Sequence, residues 1–400
     1  MRFSPLVERL SAGAAAEGVG AWAIHARALA AKARGEDVLI LSVGDPDLDT
    51  PAPIRAAAKA ALDAGDTHYT GILGRPELRA RVAAWFAERA RVAVGPENVM
   101  ITAGAQNALY FAARCVLGAG DEALSPEPTY VSYAPTVTAA GATLIRTPSP
   151  AETGFRPDLD ALEAAVTPRA RALMIGDPNN PTGVVLSPKE RARIAEIARA
   201  HDLWVIADTV YAALAFERAH GWIASEPGMA ERTVTVGGVS KSHAMTGWRV
   251  GWAIGPAPLI EAFDALGHCA LYGLPGFAQA GALAALDDPT SPEEMRAVYR
   301  RRRDALMAGL AQISGLRVEL PEAGMFALVD IRPLIREIGL STAAFAERLF
   351  QAEGVSVLDG AAFGPSAAGH LRLSMAAPEP EIEAACRRLA RFVGGLGRSG

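Results

Sequence analysis

The 400-residue chain reads as an α/β fold: a large domain with a mostly parallel, mixed sheet between helices, then a smaller α+β domain. Three observations predict it. Short apolar runs alternate with helical spacing through residues 95–260, which requires parallel strands covered by helices on both faces. From about residue 290 that alternation gives way to a long charged helix followed by strands and helices in mixed order. Polar residues also stand just beyond several of the apolar runs, where an open parallel sheet carries its ligands.

Taken in order, residues 20–34 (GAWAIHARALAAKAR) read as a helix, and DVLILSVGDPD as a short strand entering a Pro/Gly turn. Good helix formers at helical spacing mark 53–64 and 76–91. ENVMITAGAQNALYFAARCVL gives strand, glycine turn and helix, and DEALSP, ATLIRTP, RALMIGDP, LWVIAD and RTVTVGGVS give strands. SPKERARIAEIARAHD is a helix with Ser187 as N-cap and Pro188 at its first position. In the long helix SPEEMRAVYRRRRDALMAGL the run Arg300–Arg303 is expected to form a solvated face. Strands follow near LRVEL, MFALVDI and HLRLSM, with helices at 341–353 and 378–395.

Composition narrows the class. Half the residues are hydrophobic, 21% are charged and the net charge is −5, as in ordinary globular enzymes. No basic stretch is interleaved with aromatics, so a nucleic-acid partner is not expected. No run of about 18 apolar residues occurs, and the N-terminus is a poor signal peptide, so a cytoplasmic protein without a membrane partner is expected. Cys115, Cys269 and Cys386 are sparse and unpaired in spacing, which fits a reducing compartment and offers no metal cluster.

Lysine is nearly absent. Lys32, Lys59 and Lys189 lie in helical or charged settings, whereas Lys241 lies among glycines, hydroxyls and apolar residues in VGGVSKSHAMTGWRVGW. A chain that uses arginine for generic charge would keep a lysine here for an amine that can lose its proton, although by itself Lys241 also fits a loop lysine snorkelling to solvent. Asp208 closes LWVIAD, Asn180 follows RALMIGD, Gly104, Ala105 and Gln106 follow NVMITA, and Lys241 follows TVTVGGVS, so four strand ends are expected to aim polar groups toward one crevice. Singly, Asp208 also fits a helix cap, DPNNPTG a plain turn and TAGAQ a tight strand–helix link. The start of a helix after Gly104 makes a phosphate cradle, and Arg249, eight residues after Lys241, could take two oxygens of the same phosphate.

These residues resemble the pyridoxal-phosphate aminotransferases of class I/II, fold type I, over essentially the whole chain. SVGDPDLDTP, HYTGILGRPELR, TAGAQNAL, PTYVSY, DPNNPTG, DTVY, SKSHAMTGWRVG and LRLSMA occur in the family's order. Within the family, SVGDPDLDTPAPI, SKSHAMTGWRVGW and AFGPSAAGH look most like arginine–pyruvate transaminases. The resemblance implies a homodimer with shared active sites that moves an α-amino group from an amino acid to a 2-oxo acid by a ping-pong mechanism. It implies an arm and part of the small domain at 1–40, a cofactor domain at 41–285 and a small domain at 286–400. Lys241 would condense with the cofactor aldehyde and later carry a proton; Asp208 would face the pyridine nitrogen. Asn180 and Tyr211 would bond the ring 3′-oxygen, and Tyr130 would stack on the ring. Gly104, Ala105, Gln106 and Arg249 would hold the phosphate, joined by Tyr69 from the other subunit. Arg372 would clamp the substrate carboxylate with help from the Gly44 N–H.

Three positions depart from the family's usual pattern: Thr209 stands where glutamate is usual, Gly238 where serine is, and Asp177 where asparagine is. A C–S β-lyase on the same fold is the alternative enzyme, sharing Lys241 and Asp208 but needing no acceptor. A cofactor-sensing DNA-binding regulator is disfavoured by the acidic balance. Loops near 12–25, 69–75 and 268–277 are expected to shape the choice of donor.

Overall fold

The computed structural model describes residues 2–16 and 19–396. Seven strands form the main sheet, in the spatial order Val99–Thr102, Gly251–Ile254, Thr233–Gly238, Trp204–Asp208, Ala170–Gly176, Glu122–Pro126, Thr143–Thr147. Gly251–Ile254 runs antiparallel to both of its neighbours, and the other six strands point the same way. The strands read from sequence are therefore present, and their carboxyl ends share one edge. Continuous burial, as in Val99–Thr102, is what a sheet covered on both faces demands. Helices Ala105–Val116 and Ala257–Ala270 pack one face through Leu109, Phe111 and Phe263. Pro188–Ala200 packs the other through Ile194 and Ile197, and it opens on the expected N-cap, Ser187, whose Oγ accepts from the Glu190 amide in a capping box.

A second sheet is antiparallel, in the order Leu358–Asp359, His370–Ser374, Phe326–Asp330, Arg317–Val318. The strand predicted in DVLILSVGDPD shrinks to Leu39–Ile40, which joins no large sheet and pairs in parallel with Val355–Ser356. From it the chain crosses to the main sheet's carboxyl edge, carrying Gly44.

The expectation of a solvated Arg300–Arg303 face holds for the exposed Arg300 and Arg301 and is corrected for Arg302 and Arg303. In helix Thr290–Leu310 the buried stripe runs Met295, Tyr299, Arg302, Arg303, Leu306, Leu310, at helical period. Arg302 forms a two-pronged pair with Asp47, with Nη1–Oδ1 at 2.6 Å and Nη2–Oδ2 at 2.9 Å. Arg303 pairs with Glu217 at 2.8 Å and donates to the Pro321 carbonyl at 3.1 Å. Both guanidiniums are buried because each has its acceptors in place, the condition for burying charge.

Candidate active site

At the carboxyl edge of the main sheet lies a cavity of about 470 Å³, lined on one side by that sheet's loops and on the other by Phe326 and Arg372 of the smaller sheet. Gly44, Ala105, Gln106, Tyr130, Asn180, Asp208, Tyr211, Lys241, Arg249 and Arg372 all line it. Tyr69 does not. It is 87% exposed on the outer surface, edge-on to Tyr272 at 5.4 Å, so within one protomer it takes no part in the cavity.

Lys241 follows strand Thr233–Gly238, and its Nζ donates to the Gly44 carbonyl at 2.6 Å. Burial pushes its pKa down from the ordinary 10.5 to about 8; Asp45 opposes the shift, and Arg249 and Arg372 add to it. The folded state therefore binds fewer protons than the unfolded chain between pH 8 and 10.5. Stability is expected to rise with pH across that window, by a few kcal/mol at most because part of the side chain faces the open cavity. Chemical denaturation of the protein and of Lys241→Met across this range checks it: the rise should vanish in the variant.

Asp208 ends its strand fully enclosed. Its Oδ2 accepts from the Tyr133 hydroxyl at 3.0 Å and its Oδ1 from the Val210 amide at 3.3 Å. Burial raises its pKa to about 6, against the pull of those two donors and of Lys241. The carboxylate forms no ion pair among the described residues and is suited to hold a cation brought by a ligand. Tyr133, which lines the cavity and bonds Asp208, was not singled out from the sequence; PTYVSY shows it three residues after Tyr130, but tyrosine there also reads as core.

The glycine turn read from TAGAQNAL is present at the start of a helix. Gly104 has φ +78, and a Cβ there would lie 2.4 Å from Arg249 Nη2. The helix Ala105–Val116 starts beside it, with the first-turn amides of Ala105 and Gln106 free of intrahelical partners. Arg249 is held by the carbonyls of Thr246 (2.9 Å) and Ala103 (3.1 Å) and makes no ion pair among the described residues. Gln106 is bridged to Ser132 and Thr136. Ser240 and Thr246 also line the cavity, bringing hydroxyls that the Gly238 position lacks.

Arg372 is the largest fully buried side chain, 1% exposed. Its Nη2 donates to the Ser42 carbonyl at 2.7 Å and its Nη1 to Asn180 Oδ1 at 3.3 Å, while Nε is buried without a partner. Phe326 and Phe363 stack on the guanidinium at 4.0 and 4.8 Å, and Trp22 lies at 5.9 Å. Among the described residues it has no acidic partner, and burial lowers its pKa to about 10. Gly44 is close-packed here, since a Cβ would meet Phe326 Cζ at 2.2 Å. Tyr211 is enclosed, and burial raises its pKa. Tyr130 sits edge-on to Tyr133 at 5.9 Å. Of the loop expected near 12–25, residues 17 and 18 lie outside the described residues.

Two guanidiniums without acid partners, an amine with a lowered pKa and a buried carboxyl make a site for a ligand with two anionic ends and a basic ring. Pyridoxal phosphate, with an amino acid, meets those requirements. The chain belongs to the class I and II aminotransferases, whose family pattern matches residues 36–389. It is similar to the arginine–pyruvate transaminase of Pseudomonas aeruginosa, at 48% identity over 391 residues covering 98% of each chain. The aspartate/prephenate aminotransferase of Thermus thermophilus is 36% identical, over 93% of this chain and 95% of that one. The solved aspartate aminotransferase of Thermus thermophilus with maleate superposes with a TM-score of 0.90, at 35% identity, covering 98% of this chain and all of the other. The fold is thus the expected fold type I. The enzyme is an aminotransferase, and these relatives do not favour the lyase alternative.

Proposed function

We propose that the enzyme uses pyridoxal phosphate to move the α-amino group of L-arginine to pyruvate, as a cytoplasmic homodimer. The observation that carries the reading is the placement of Lys241 in one cavity with Asp208 and with Arg249 and Arg372, both without acid partners. When bound, the cofactor supplies an aldehyde that holds the amino group and a ring that accepts the electron pair released at the substrate Cα. Asp208, steadied by Tyr133, would hold a proton on the ring nitrogen. The amides of Ala105 and Gln106, the Gly104 turn and Arg249 would hold the phosphate. Asn180 and Tyr211 would bond the ring oxygen, and Tyr130 would pack against the ring. Arg372 and Gly44 orient the substrate carboxylate, which fixes the Cα–H bond toward Lys241. The Lys241 amine, unprotonated, would accept that proton and deliver it to the cofactor's former aldehyde carbon, across the intervening nitrogen. Tyr69, exposed on its own protomer, is in keeping with a role in the neighbouring subunit's site.

Arginine as donor is supported by the 48% relative and by Asp45, an exposed carboxylate at the cavity mouth that accepts from Thr246 Oγ1 at 2.5 Å and could meet a guanidinium. A panel of amino donors with pyruvate as acceptor tests it, alanine being the measured product. Arginine is expected to give a kcat/KM about tenfold or more above aspartate, the worth of one charge-assisted hydrogen bond. No turnover with arginine, alongside turnover with other donors, would overturn the donor assignment and leave the aminotransferase intact.

A further inference from the structure

Between strands Leu358–Asp359 and His370–Ser374 of the smaller sheet the chain makes two short helical turns, Gly360–Phe363 and Pro365–Ala367. The first carries Phe363, fully buried and 4.8 Å from the Arg372 guanidinium. Both turns are tied to the segment that follows strand Glu122–Pro126 of the main sheet. The Thr129 amide donates to the Phe363 carbonyl at 2.8 Å. Glu127 Oε1 accepts from Ser366 twice, from its Oγ at 2.8 Å and from its amide at 3.2 Å. Glu127 is itself anchored to the main sheet, since its amide donates to the Thr147 carbonyl at 2.8 Å.

The fit at this joint is close. Gly364, between the two turns, has φ +128, and a Cβ there would lie 2.2 Å from Glu127 Oε2. The Glu127 carboxyl is buried, and among the described residues it forms no ion pair and its Oε2 has no hydrogen-bond partner. A buried carboxylate held by neutral donors alone is unfavourable for stability, so its presence points to placement. The same segment bears on the cavity in two further ways. Tyr130 lines the cavity, and the Pro128 carbonyl accepts from Asn179, next to the Asn180 that accepts from Arg372.

We propose that Glu127 is a positioning residue for the substrate carboxylate: its bonds to Ser366 hold Phe363 against Arg372 and so fix the fork that Arg372 presents. Glu127 is not among the residues that line the cavity, so it acts through Arg372 and not on the substrate. This role presupposes Arg372 as the carboxylate clamp. Donor and acceptor both carry that carboxylate, so a loosened fork weakens both alike. A group that reads the side chain weakens one more than the other.

Steady-state kinetics of Glu127→Ala, with amino donor and oxo-acid acceptor varied in turn, tests this. For each substrate kcat/KM is expected to fall about tenfold, the worth of one hydrogen bond, and mostly through KM. Glu127→Gln keeps the acceptor and should stay within about twofold of the wild type. In an Arg372→Met background Glu127→Ala should cause no further loss, because the group it positions is gone. Ser366→Ala removes one of the two donors and should lower kcat/KM about threefold for both substrates, and it stands in should Glu127→Ala fail to fold. Equal losses with and without Arg372, a loss confined to one substrate, or unchanged kinetics would each overturn the positioning role while leaving the clamp in place. An unchanged kcat/KM in Arg372→Met alone would overturn the clamp itself, and this role with it.

Discussion

Lys241→Ala is expected to lower kcat by at least roughly 10⁴-fold, since a positioned proton carrier is worth about 10²–10⁴ and the covalent anchor is lost as well. Three features put the effect on chemistry rather than on folding. The side chain makes one hydrogen bond, to the Gly44 carbonyl. Burial holds its amine near pH 8, which costs the folded state energy instead of supplying it. The neighbouring backbone is fixed by its own bonds, such as His243 N to the Val239 carbonyl at 3.1 Å and Met245 N to the Ser240 carbonyl at 3.1 Å. Steady-state alanine formation measures the loss, and the visible absorption of the lysine-linked cofactor should disappear with it. Wild-type turnover in the variant would sink the proposed mechanism.

Arg372→Met is expected to lower kcat/KM by roughly 10³-fold, because two charge-assisted hydrogen bonds to the substrate carboxylate go at about 1.5–3 kcal/mol each. The same change should leave the thermal midpoint equal or higher. A guanidinium this deeply buried, without an acid, carries a desolvation cost of several kcal/mol, and stacking on Phe326 and Phe363 returns about 2 kcal/mol at most. Loss of function with gain of stability is the mark of a residue kept for its ligand. Arg372→Lys should recover only part of the activity, since an ammonium cannot present the planar fork. Thermal melting of the cofactor-free proteins separates the two effects. A strongly lowered midpoint for Arg372→Met would mean that the residue serves the fold.

Lys241, Asp208, Asn180 and the Gly104 turn were legible because each stands at the end of an apolar run, and parallel strands bring such ends to one edge. Tyr133 was harder, since what distinguishes it is a bond to Asp208, 75 positions away. Trp22, Phe326 and Phe363 come from three distant segments, and no local pattern shows that they share a guanidinium. Arg302 and Arg303 were misread because charge was weighed above period. Tyr299, Leu306 and Leu310 in the same stripe place both arginines on the inner face, and only the positions of Asp47 and Glu217 explain how that is tolerated.

The amine and the carboxylate clamp ride on different sheets, and Arg302 ties the Asp47 loop to the long helix beneath the clamp. The Arg302–Asp47 strut, three residues along the chain from Gly44, is expected to help set how the two sheets' side chains are spaced across the cavity. Laboratory evolution of this enzyme toward longer or shorter donors has a lever at that strut, where a change retunes reach while every reacting group is kept.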